Sequence, residues 1–461
     1  MKYSIALTEE ANDLLESHLI RDDFQEDLCF ALYNPSTGHI RKTAIVNQVI
    51  LPEDNDRNIH GNASFNTQYI ERVIDIALEK KLGIVFIHSH PFEGWQDMSN
   101  DDINTESIIA PSVFAATNLP LVGMTIGLDG YWSGRFWTNQ NASCFERQWC
   151  ESVRVMGESF NIYYNDEILP KPEYGEEFVR TLSSWGEVKQ DEISRLRIGI
   201  IGLGSVGAIV AESLIRTGVK NINLIDFDKI EKKNLDRLLY TTKDDIGKAK
   251  VEFYKDKLIA SSILSSDIQA FQYSIVEEIG FKAALDCDIL FSCVDRPWPR
   301  FVLDNISYSH FIPVIDGGIG AKSNSSMSNL GEARWRTQVV CPGRICMHCM
   351  GQYTIEDVSM EQAGIFEQPT YIKNLPKNHF MNRGENVFAF SIGLAAMELN
   401  QMLSYVLRPN DIYIGVREYD FLTSTVDDDF EFKCSDDCSI IENLGIGDSI
   451  NNILITEHEM A

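Results

Sequence analysis

A glycine-rich turn between an apolar strand and a helix most strongly constrains how this 461-residue chain can fold. The turn runs from Gly202 through Gly204 to Gly207, after an apolar run at 198–201 and before a helical run at 206–217. A second apolar run at 222–225 completes a βαβ unit. Further buried strands are predicted at 289–293 and 312–315. Strands that alternate with helices predict a parallel, doubly wound α/β sheet.

The residues after this turn favour an ATP site over a dinucleotide site. The glycines let the backbone approach a phosphate, and Asp226 at the end of the next strand suits a ribose hydroxyl. Asn234, Arg237 and Lys250 then follow in quick succession, and a dehydrogenase has no use for this set. An amide and two cations aimed at a triphosphate would assist the departure of pyrophosphate. Taken singly, Arg237 and Lys250 also fit ordinary surface charge, because the region holds several other lysines.

This ordered set resembles the ubiquitin-activating-enzyme family, in particular its bacterial ThiF and MoeB-like members, from about residue 178 to residue 438. The resemblance assigns a nucleotide-binding role to Gly202, Gly204, Gly207, Asp226, Asp228, Asn234, Arg237 and Lys250, and Mg²⁺ binding to Asp295. Arg180 matches the arginine that family members reach across a dimer interface, which implies a homodimer. Family members adenylate the C-terminal glycine of a ubiquitin-like protein with ATP and release pyrophosphate.

The N-terminal part has a mixed pattern. Helices are predicted at 9–19 and 66–82, strands at 28–32 and 83–87, and a turn at 34–38, where asparagine, proline and glycine cluster. His88 stands at the end of the strand at 83–87. The pattern predicts a separate domain over residues 1–164.

Residues that follow this last strand favour a zinc hydrolase site. His88 and His90 can turn toward one ion, and Asp102 near a helix start can supply a third ligand. Three protein ligands leave a fourth zinc position for water, whose pKa the metal lowers. Ser99 could donate a hydrogen bond to a developing oxyanion. The same residues also fit a polar strand end and a simple helix N-cap.

The pattern His-x-His, then Ser-x-x-Asp, resembles the JAMM-type (MPN) metalloproteases, which cleave ubiquitin-like proteins from their conjugates. The resemblance implies a mixed-sheet, cytidine-deaminase-like domain with zinc on His88, His90 and Asp102. It makes Ser99 the oxyanion donor and Glu26 the general base. The loop before Ser99 is one residue longer than usual, which leaves Asp101 as an alternative ligand, and Glu26 also fits a solvated carboxylate in an acidic loop.

The cysteines predict a second zinc site. Cys346 and Cys349 form a C-x-x-C pair, and Cys434 and Cys438 form a C-x-x-x-C pair. Two such pairs make a four-thiolate structural site, and ThiF and MoeB-like proteins carry a pair at each point. A redox pair at Cys346 and Cys349 is the alternative. Five other cysteines are interpreted as small buried residues: Cys29, Cys144, Cys150, Cys287 and Cys293.

No cysteine lies between Cys349 and Cys434, where thioester-forming family members carry a nucleophile in a crossover segment. That segment is predicted at 354–385, with Pro369, Pro376 and Gly384. Cys341 lies before the zinc pair and is a poor substitute. We therefore expect the acyl group to pass directly to the cysteine of a conjugating enzyme or to a sulfur donor.

Composition limits the partners and the cellular location that we expect for this chain. A formal net charge of -28 argues against a nucleic-acid partner, because phosphate binding needs clustered lysine and arginine. No segment has the length and apolar character of a membrane span, and the first residues lack the apolar core of a signal peptide. These features predict a cytoplasmic protein without a membrane partner.

Together the motifs predict three parts: a metalloprotease domain at 1–164, a polar linker at 165–177 and an adenylation domain at 178–461. The predicted function is that of a bifunctional enzyme of a bacterial ubiquitin-like pathway. It would cut after the C-terminal glycine of a ubiquitin-like protein and adenylate that glycine for a conjugating enzyme. The alternatives are sulfur-carrier activation and release in a biosynthetic pathway, and a recruitment module with one inactive site.

Overall fold

A computed structural model of the chain describes residues 1–60, 62–141, 144–324, 329–368, 386–408, 414–429, 432–450 and 454. These residues form two compact units. Unit 1 contains Met1–Lys171, Ser309–Phe311 and a segment that begins at Asn443, and unit 2 contains Pro172–Tyr308 and Ile312–Glu442. None of the helices in these ranges combines the length and apolar character needed to cross a bilayer. Pro369, Pro376 and Gly384 of the predicted crossover segment lie outside the described residues.

Unit 1 is built on a mixed nine-stranded sheet in the order β11-β10-β1-β3-β2-β6-β7-β8-β9. Its elements, in chain order, are β1 (Lys2–Thr8), α1 (Glu9–Leu19), β2 (Leu28–Thr37), β3 (Arg41–Ile50), β4 (Arg57–His60), β5 (Asn62–Phe65), α2 (Thr67–Lys80), β6 (Gly83–Ser89), α3 (Asn100–Thr117), β7 (Leu121–Ile126), β8 (Trp132–Asn141), β9 (Cys144–Trp149), β10 (Ser152–Met156) and β11 (Phe160–Tyr164). The predicted helix at 9–19 is confirmed, and the predicted helix at 66–82 is observed as α2, capped by Asn66.

Helices cover both faces of this sheet, so its central strands are buried on both sides. Alternate residues of β2 point to opposite faces. Cys29 and Ala31 belong to the core that includes Leu15 of α1, whereas Phe30 packs in the core that includes Val73 of α2. Strands that are covered on both faces have nearly continuous apolar sequences. This explains why the apolar run at 28–32 predicts a strand.

The predicted turn at 34–38 is wrong, because β2 continues through Asn34 and Pro35 to Thr37. Pro35 lies opposite Ala44 of β3. The pairing of β2 with β6 has already ended at Tyr33, so the missing N–H of proline removes no ladder hydrogen bond on that side. Tertiary pairing therefore overrides the local turn signal.

Unit 2 contains an eight-stranded sheet in the order β14-β13-β12-β15-β16-β17-β18-β19. Its elements, in chain order, are α4 (Val179–Arg195), β12 (Arg197–Ile201), α5 (Ser205–Thr217), β13 (Asn221–Ile225), α6 (Lys250–Ser261), β14 (Asp267–Phe271), α7 (Glu278–Leu285), β15 (Ile289–Ser292), α8 (Pro297–His310), β16 (Val314–Asn324), β17 (Asn329–Val340), α9 (Ile355–Gln362), α10 (Phe388–Leu407), β18 (Val416–Asp420) and β19 (Thr425–Asp429).

The first five strands of this sheet are parallel and confirm the predicted doubly wound α/β fold. Chain order reverses between β12 and β15, which are neighbours in the sheet. Sheets of this kind bind ligands outside the carboxyl ends of their strands, at the point where the chain order reverses. The strand predicted at 312–315 is much longer than expected: β16 begins at Val314 and extends to Asn324, because the antiparallel β17 supports it.

We expect Trp132→Ala to lower the free energy of unfolding of unit 1 by about 3–5 kcal/mol, because a large buried ring is replaced by a cavity. Trp132 is fully buried, and its indole N–H donates to Asn12 Oδ1 at 2.8 Å. Urea denaturation of the full chain measures the change, with Ile108→Ala as the control, since Ile108 is 73% exposed. Equal midpoints for the two variants would contradict this assignment of the core.

Candidate functional sites

The register of β2 against β6 brings Glu26 and His90 to the same place. Leu28 lies opposite His88 in this antiparallel pair, so two residues further out, position 26 faces position 90. Both residues line one cleft of unit 1, where the other lining residues are Leu19, Ile20, Arg21, Phe24, Gln25, Ser89, Pro91, Gly127 and Leu128. The predicted general base therefore shares a cleft with a predicted metal ligand.

His88, His90 and Asp102 converge on one point. His88 Nε2 and His90 Nε2 are 3.2 Å apart, and His90 Nε2 lies 3.2 Å from Asp102 Oδ2. His88 Nε2 is 3.4 Å from Asp102 Oδ1. Asp101 is exposed and outside this group, so it is Asp102 that the structure brings to the histidines.

The separations in this triad fit a zinc ion. Three ligands at about 2.0–2.1 Å from a tetrahedral zinc lie about 3.3–3.4 Å from one another. Burial lowers the pKa of His88, which favours the neutral ring that a metal binds. Burial alone would raise the pKa of Asp102, but hydrogen bonds with His88 and His90 outweigh it and keep this pKa well below its usual value.

Glu26 is half-buried, and burial raises the pKa of its carboxyl. His90 opposes this effect and Asp102 adds to it, so Glu26 lies within electrostatic reach of the triad. Its neighbour Asp27 is fully buried and fixes the start of β2 through an ion pair with Arg57 at 2.6 Å. The Ser89 backbone N–H also donates to the Asp27 carbonyl at 3.0 Å. Local spacing does not predict this anchoring role of Asp27.

Ser99 caps α3 and thereby orients Asp102. The Asp102 backbone N–H donates to Ser99 Oγ at 3.2 Å, and the Ser99 N–H donates to Asp102 Oδ2 at 2.7 Å. This is a reciprocal capping box. Because Ser99 Oγ acts here as an acceptor, its own O–H remains a donor. The capping interpretation and the oxyanion interpretation are thus compatible.

In unit 2, two glycines of the turn are required by close approach. Gly202 has φ of +92°, and an added Cβ would lie 2.6 Å from the carbonyl oxygen of Cys293. A Cβ at Gly207 would collide with the carbonyl oxygen of Gly202. Gly204 is the N-cap of α5, where no side chain caps the helix. The first backbone N–H groups of α5 are therefore left for an anion.

Two aspartates and a lysine meet beside this turn. Asp226, at the end of β13, is buried and accepts the Leu203 N–H at 2.6 Å. Lys250 Nζ lies 2.6 Å from Asp228 Oδ2 and 3.5 Å from Asp226 Oδ2. Burial raises the pKa of Asp226. Burial opposes the charged form of Lys250, but its attraction to Asp226 and Asp228 prevails and raises its pKa.

The remaining predicted residues of this site are less closely gathered. Asn234 Oδ1 accepts the Glu231 N–H at 3.0 Å, and Arg237 donates to the Lys233 carbonyl at 2.8 Å. Both side chains are thus used within their own turn. Asp295 is exposed in the segment after β15, and Arg180 is exposed at the start of α4. Among the described residues, no hydrogen bond or ion pair joins any of these four to Lys250.

The four predicted cysteine ligands form one cluster. The Sγ atoms of Cys346, Cys349, Cys434 and Cys438 all lie within 4.8 Å of one another. Cys346 Sγ is 3.6 Å from Cys438 Sγ, close to the separation of about 3.8 Å expected for two thiolates on a tetrahedral zinc. Backbone N–H groups of Cys349 and Cys346 donate to Cys346 Sγ and Cys434 Sγ, both at 3.2 Å. These donors favour thiolates, so the cluster fits zinc.

A buried carboxylate from α8 shapes the first cysteine pair, which sequence spacing could not reveal. Asp304 accepts the backbone N–H of Met347 at 2.9 Å and that of His348 at 3.0 Å, the two residues between Cys346 and Cys349. Tyr353 donates its hydroxyl to the same carboxylate at 2.7 Å. Burial raises the pKa of Asp304 to about 7.

The other cysteines only partly follow the prediction. Cys29, Cys150 and Cys287 are buried as expected, but Cys293 is half-buried and Cys144 is exposed. Cys144 begins β9, a strand at the edge of its sheet, where alternate side chains face solvent. Cys341 is buried, with Sγ 3.5 Å from the Tyr405 hydroxyl.

Comparison with known proteins shows which family the second part of the chain resembles. The ThiF family model matches residues 178–434, more than half of the chain. The chain is 27% identical over 169 residues to tRNA threonylcarbamoyladenosine dehydratase 2 of Saccharomyces cerevisiae, which covers 35% of this chain and 38% of that protein. It is 27% identical over 167 residues to the sulfur carrier protein ThiS adenylyltransferase of Bacillus subtilis, covering 36% of this chain and 46% of that protein.

A third relative is ubiquitin-like modifier-activating enzyme 5 of Drosophila willistoni, 26% identical over 149 residues, covering 29% of this chain and 36% of that protein. The chain thus spans less than half the length of each of these relatives. Among solved structures, E. coli MccB with ATP gives a TM-score of 0.43 at 18% identity, covering 58% of this chain and 74% of that one. Because the family match extends over residues 178–434, the chain belongs to the ThiF family.

Proposed function

We propose that this chain is an enzyme with two sites that act on the C-terminus of one small ubiquitin-like or sulfur-carrier protein. Residues 178–461 would adenylate the terminal glycine, and residues 1–164 would hydrolyse the bond that follows this glycine in a precursor or conjugate, with 165–177 as the linker. The ThiF family match, in a chain that also holds the His88–His90–Asp102 triad, carries the proposal.

Adenylation joins the glycine carboxylate to the α-phosphate of ATP and releases pyrophosphate. The unsatisfied N–H groups at the start of α5 would receive phosphate oxygens, and Asp226 would bind the ribose. Lys250 is held charged by Asp226 and Asp228, which suits it to neutralise the departing phosphates together with Asn234 and Arg237. Asp295, beyond β15 at the carboxyl edge of the sheet, would bind Mg²⁺, which supplies further charge neutralisation.

In unit 1, His88, His90 and Asp102 would hold a zinc ion, which when bound supplies an acidified water and polarises the scissile carbonyl. Glu26 would accept the proton of the attacking water and return it to the leaving amine. Its raised pKa and its position in the cleft with His90 support this role. The Ser99 hydroxyl would donate to the oxyanion.

The acyl acceptor is proposed to be a group on another molecule. No cysteine lies between Cys349 and Cys434, where thioester-forming members of the family carry their nucleophile. A conjugating enzyme's cysteine would then attack the acyl adenylate directly. We further propose that Arg180, exposed on α4, completes the nucleotide site of a second copy in a homodimer.

The absence of a cysteine between Cys349 and Cys434 favours one alternative. In it, a sulfur donor attacks the adenylate and yields a carrier thiocarboxylate. Hydrolysis in unit 1 would then release the carrier from its product. Trapping of the acyl group on the cysteine of a conjugating enzyme would support conjugation, and formation of a thiocarboxylate on the carrier would support sulfur transfer.

Lys250→Ala should reduce ATP–pyrophosphate exchange by at least about 100-fold, since it removes a buried cation from the phosphate site. The assay uses the full chain with a panel of ubiquitin-like and sulfur-carrier proteins that end in glycine. The control is Lys248→Ala, because Lys248 is an exposed lysine two residues away that pairs with Asp245. Exchange by Lys250→Ala at the wild-type rate would contradict the assignment of Lys250 to the phosphate site. If none of the carriers in the panel supported exchange, carrier activation would be contradicted.

Glu26→Gln should lower hydrolysis by about 10²–10⁴-fold while zinc content stays unchanged, since the amide cannot accept the water proton. The substrates are the same proteins extended beyond their glycine, and mass spectrometry follows the cleavage. Glu93→Gln is the matched control, an exposed carboxylate in the loop after the histidines. Undiminished cleavage by Glu26→Gln would remove Glu26 from the mechanism.

Cys438→Ser should lose about one equivalent of zinc per chain and unfold at a lower temperature, because the four thiolates link two distant chain segments. Zinc is measured by elemental analysis and unfolding by calorimetry. Cys144→Ser, which alters an exposed cysteine outside the cluster, should change neither quantity. Full zinc content in Cys438→Ser would favour the redox interpretation of the cysteine pair.

A further inference from the structure

A buried hydroxyl stands at the start of the helix that the proposed phosphate site uses. Ser205 is the first residue of α5, directly after the N-cap Gly204, and it is only 7% exposed. The Cα–Cβ bonds of an α-helix tilt toward its N-terminus, so a side chain in the first turn leans past the helix start. The Ser205 hydroxyl therefore lies at the end of α5 where the first backbone N–H groups have no side-chain acceptor.

Two side chains near the start of α10 hold the Ser205 oxygen. Asn386 Nδ2 donates to Ser205 Oγ at 3.0 Å, and Ser391 Oγ donates to it at 2.8 Å. Ser391 is fully buried, and its oxygen also lies 3.1 Å from Asn386 Oδ1. The three side chains thus form one polar cluster that joins two segments far apart in the sequence.

In both of its hydrogen bonds Ser205 is the acceptor, so its own hydrogen is not used. A hydroxyl has two acceptor lone pairs and one O–H donor. Asn386 and Ser391 provide donors for the lone pairs, and within the described part of the chain no group accepts a hydrogen bond from Ser205. A buried donor without an acceptor is costly, and most such groups in folded proteins have a partner. A ligand oxygen would supply the missing acceptor.

The acceptor expected at this position is a phosphate oxygen. Helix starts favour anions through both their N–H groups and the helix dipole. Lys250, the cation assigned to the phosphates, is linked to the same turn. Its Nζ lies 3.5 Å from Asp226 Oδ2, and this oxygen also accepts the N–H of Leu203, two residues before Ser205. A hydrogen bond from a hydroxyl to an ionised oxygen is also stronger than one between neutral groups.

We propose that Ser205 is a further phosphate ligand of the adenylation site, and that Asn386 and Ser391 direct its hydrogen toward the bound nucleotide. This inference rests on the proposed nucleotide site of unit 2. Ser205 would touch the ligand, whereas Asn386 and Ser391 act through Ser205 and are positioning residues. A hydroxyl oxygen that accepts from two fixed donors cannot rotate freely, so it offers its hydrogen in one direction.

The test is the binding of ATP and of adenosine by the full chain, measured by displacement of a fluorescent ATP analogue. Ser205→Ala removes only the hydroxyl, and we expect it to weaken ATP binding by about 10–100-fold, the range for a lost hydrogen bond to a charged group. Adenosine carries no phosphate, so its affinity should not change. The matched control is Ser213→Ala, because the Ser213 hydroxyl donates within the same helix to the Ile209 carbonyl at 2.8 Å. This control should bind both ligands as wild type does.

A second variant tests the role of Asn386. Asn386→Asp replaces a donor to Ser205 with an acceptor, so the Ser205 hydrogen would turn to the new carboxylate and be lost to the phosphate. We expect weaker ATP binding, with a smaller further loss when the same change is made in Ser205→Ala. Losses that add fully in the double variant would overturn the positioning role.

The outcomes separate this inference from the nucleotide site itself. If Lys250→Ala and wild type bind ATP equally, the proposed phosphate site is wrong and the inference fails with it. If Lys250→Ala weakens ATP binding but Ser205→Ala does not, the site stands and the inference alone is overturned. Equal losses of ATP and adenosine binding in Ser205→Ala would also overturn it, because the effect would then come from packing between α5 and α10. Unfolding midpoints of the nucleotide-free variants verify that each one is folded.

Discussion

Both candidate sites depend on the constraint that a buried strand must use all of its backbone N–H and C=O groups in the sheet. Within such a strand the side chains on both faces fill the core, so ligands can converge only where the ladder ends. His88 and His90 stand at the end of β6, and Asp226 and Asp295 follow β13 and β15. The positions of the strand ends in each sheet therefore limit where a site can form, whichever side chains occupy them.

Helix starts supply the second half of each site. Asp102 is in the first turn of α3 and is oriented by the Ser99 cap. Gly204 caps α5 without a side chain, so the first N–H groups of this helix have no side-chain acceptor at the cap. The two helix starts thus differ. In α3 the Asp102 carboxylate accepts the Ser99 N–H and is also placed beside the histidines, whereas in α5 no side chain accepts the first N–H groups. This difference suits the metal site proposed for one unit and the phosphate site proposed for the other.

Local spacing predicts most of the side chains that the structure brings together at the candidate sites. The glycine turn, the His-x-His pair with Ser99 and Asp102, and the four cysteines are each encoded within short segments, and the βαβ pattern predicted the parallel sheet. Spacing could not predict the residues that support them. Asp27 and Asp304 reach their partners only through contacts between distant segments of the chain. The false turn at 34–38 has the same origin, because pairing with β3 outweighs the local preference of Asn34 and Pro35.

On the proposed assignment, the two reactions are linked by a single functional group. Hydrolysis after a terminal glycine produces a free carboxylate, and adenylation consumes a free carboxylate. The two reactions would oppose each other, with net loss of ATP, if both acted on finished conjugates. They cooperate if hydrolysis acts on a precursor, because the product of the first site is then the substrate of the second. A single chain raises the local concentration of that product at the second site, which favours the cooperative order whenever release into solution is slower than transfer. Joining the two units in one chain is therefore more useful for maturation of the carrier than for its removal from targets.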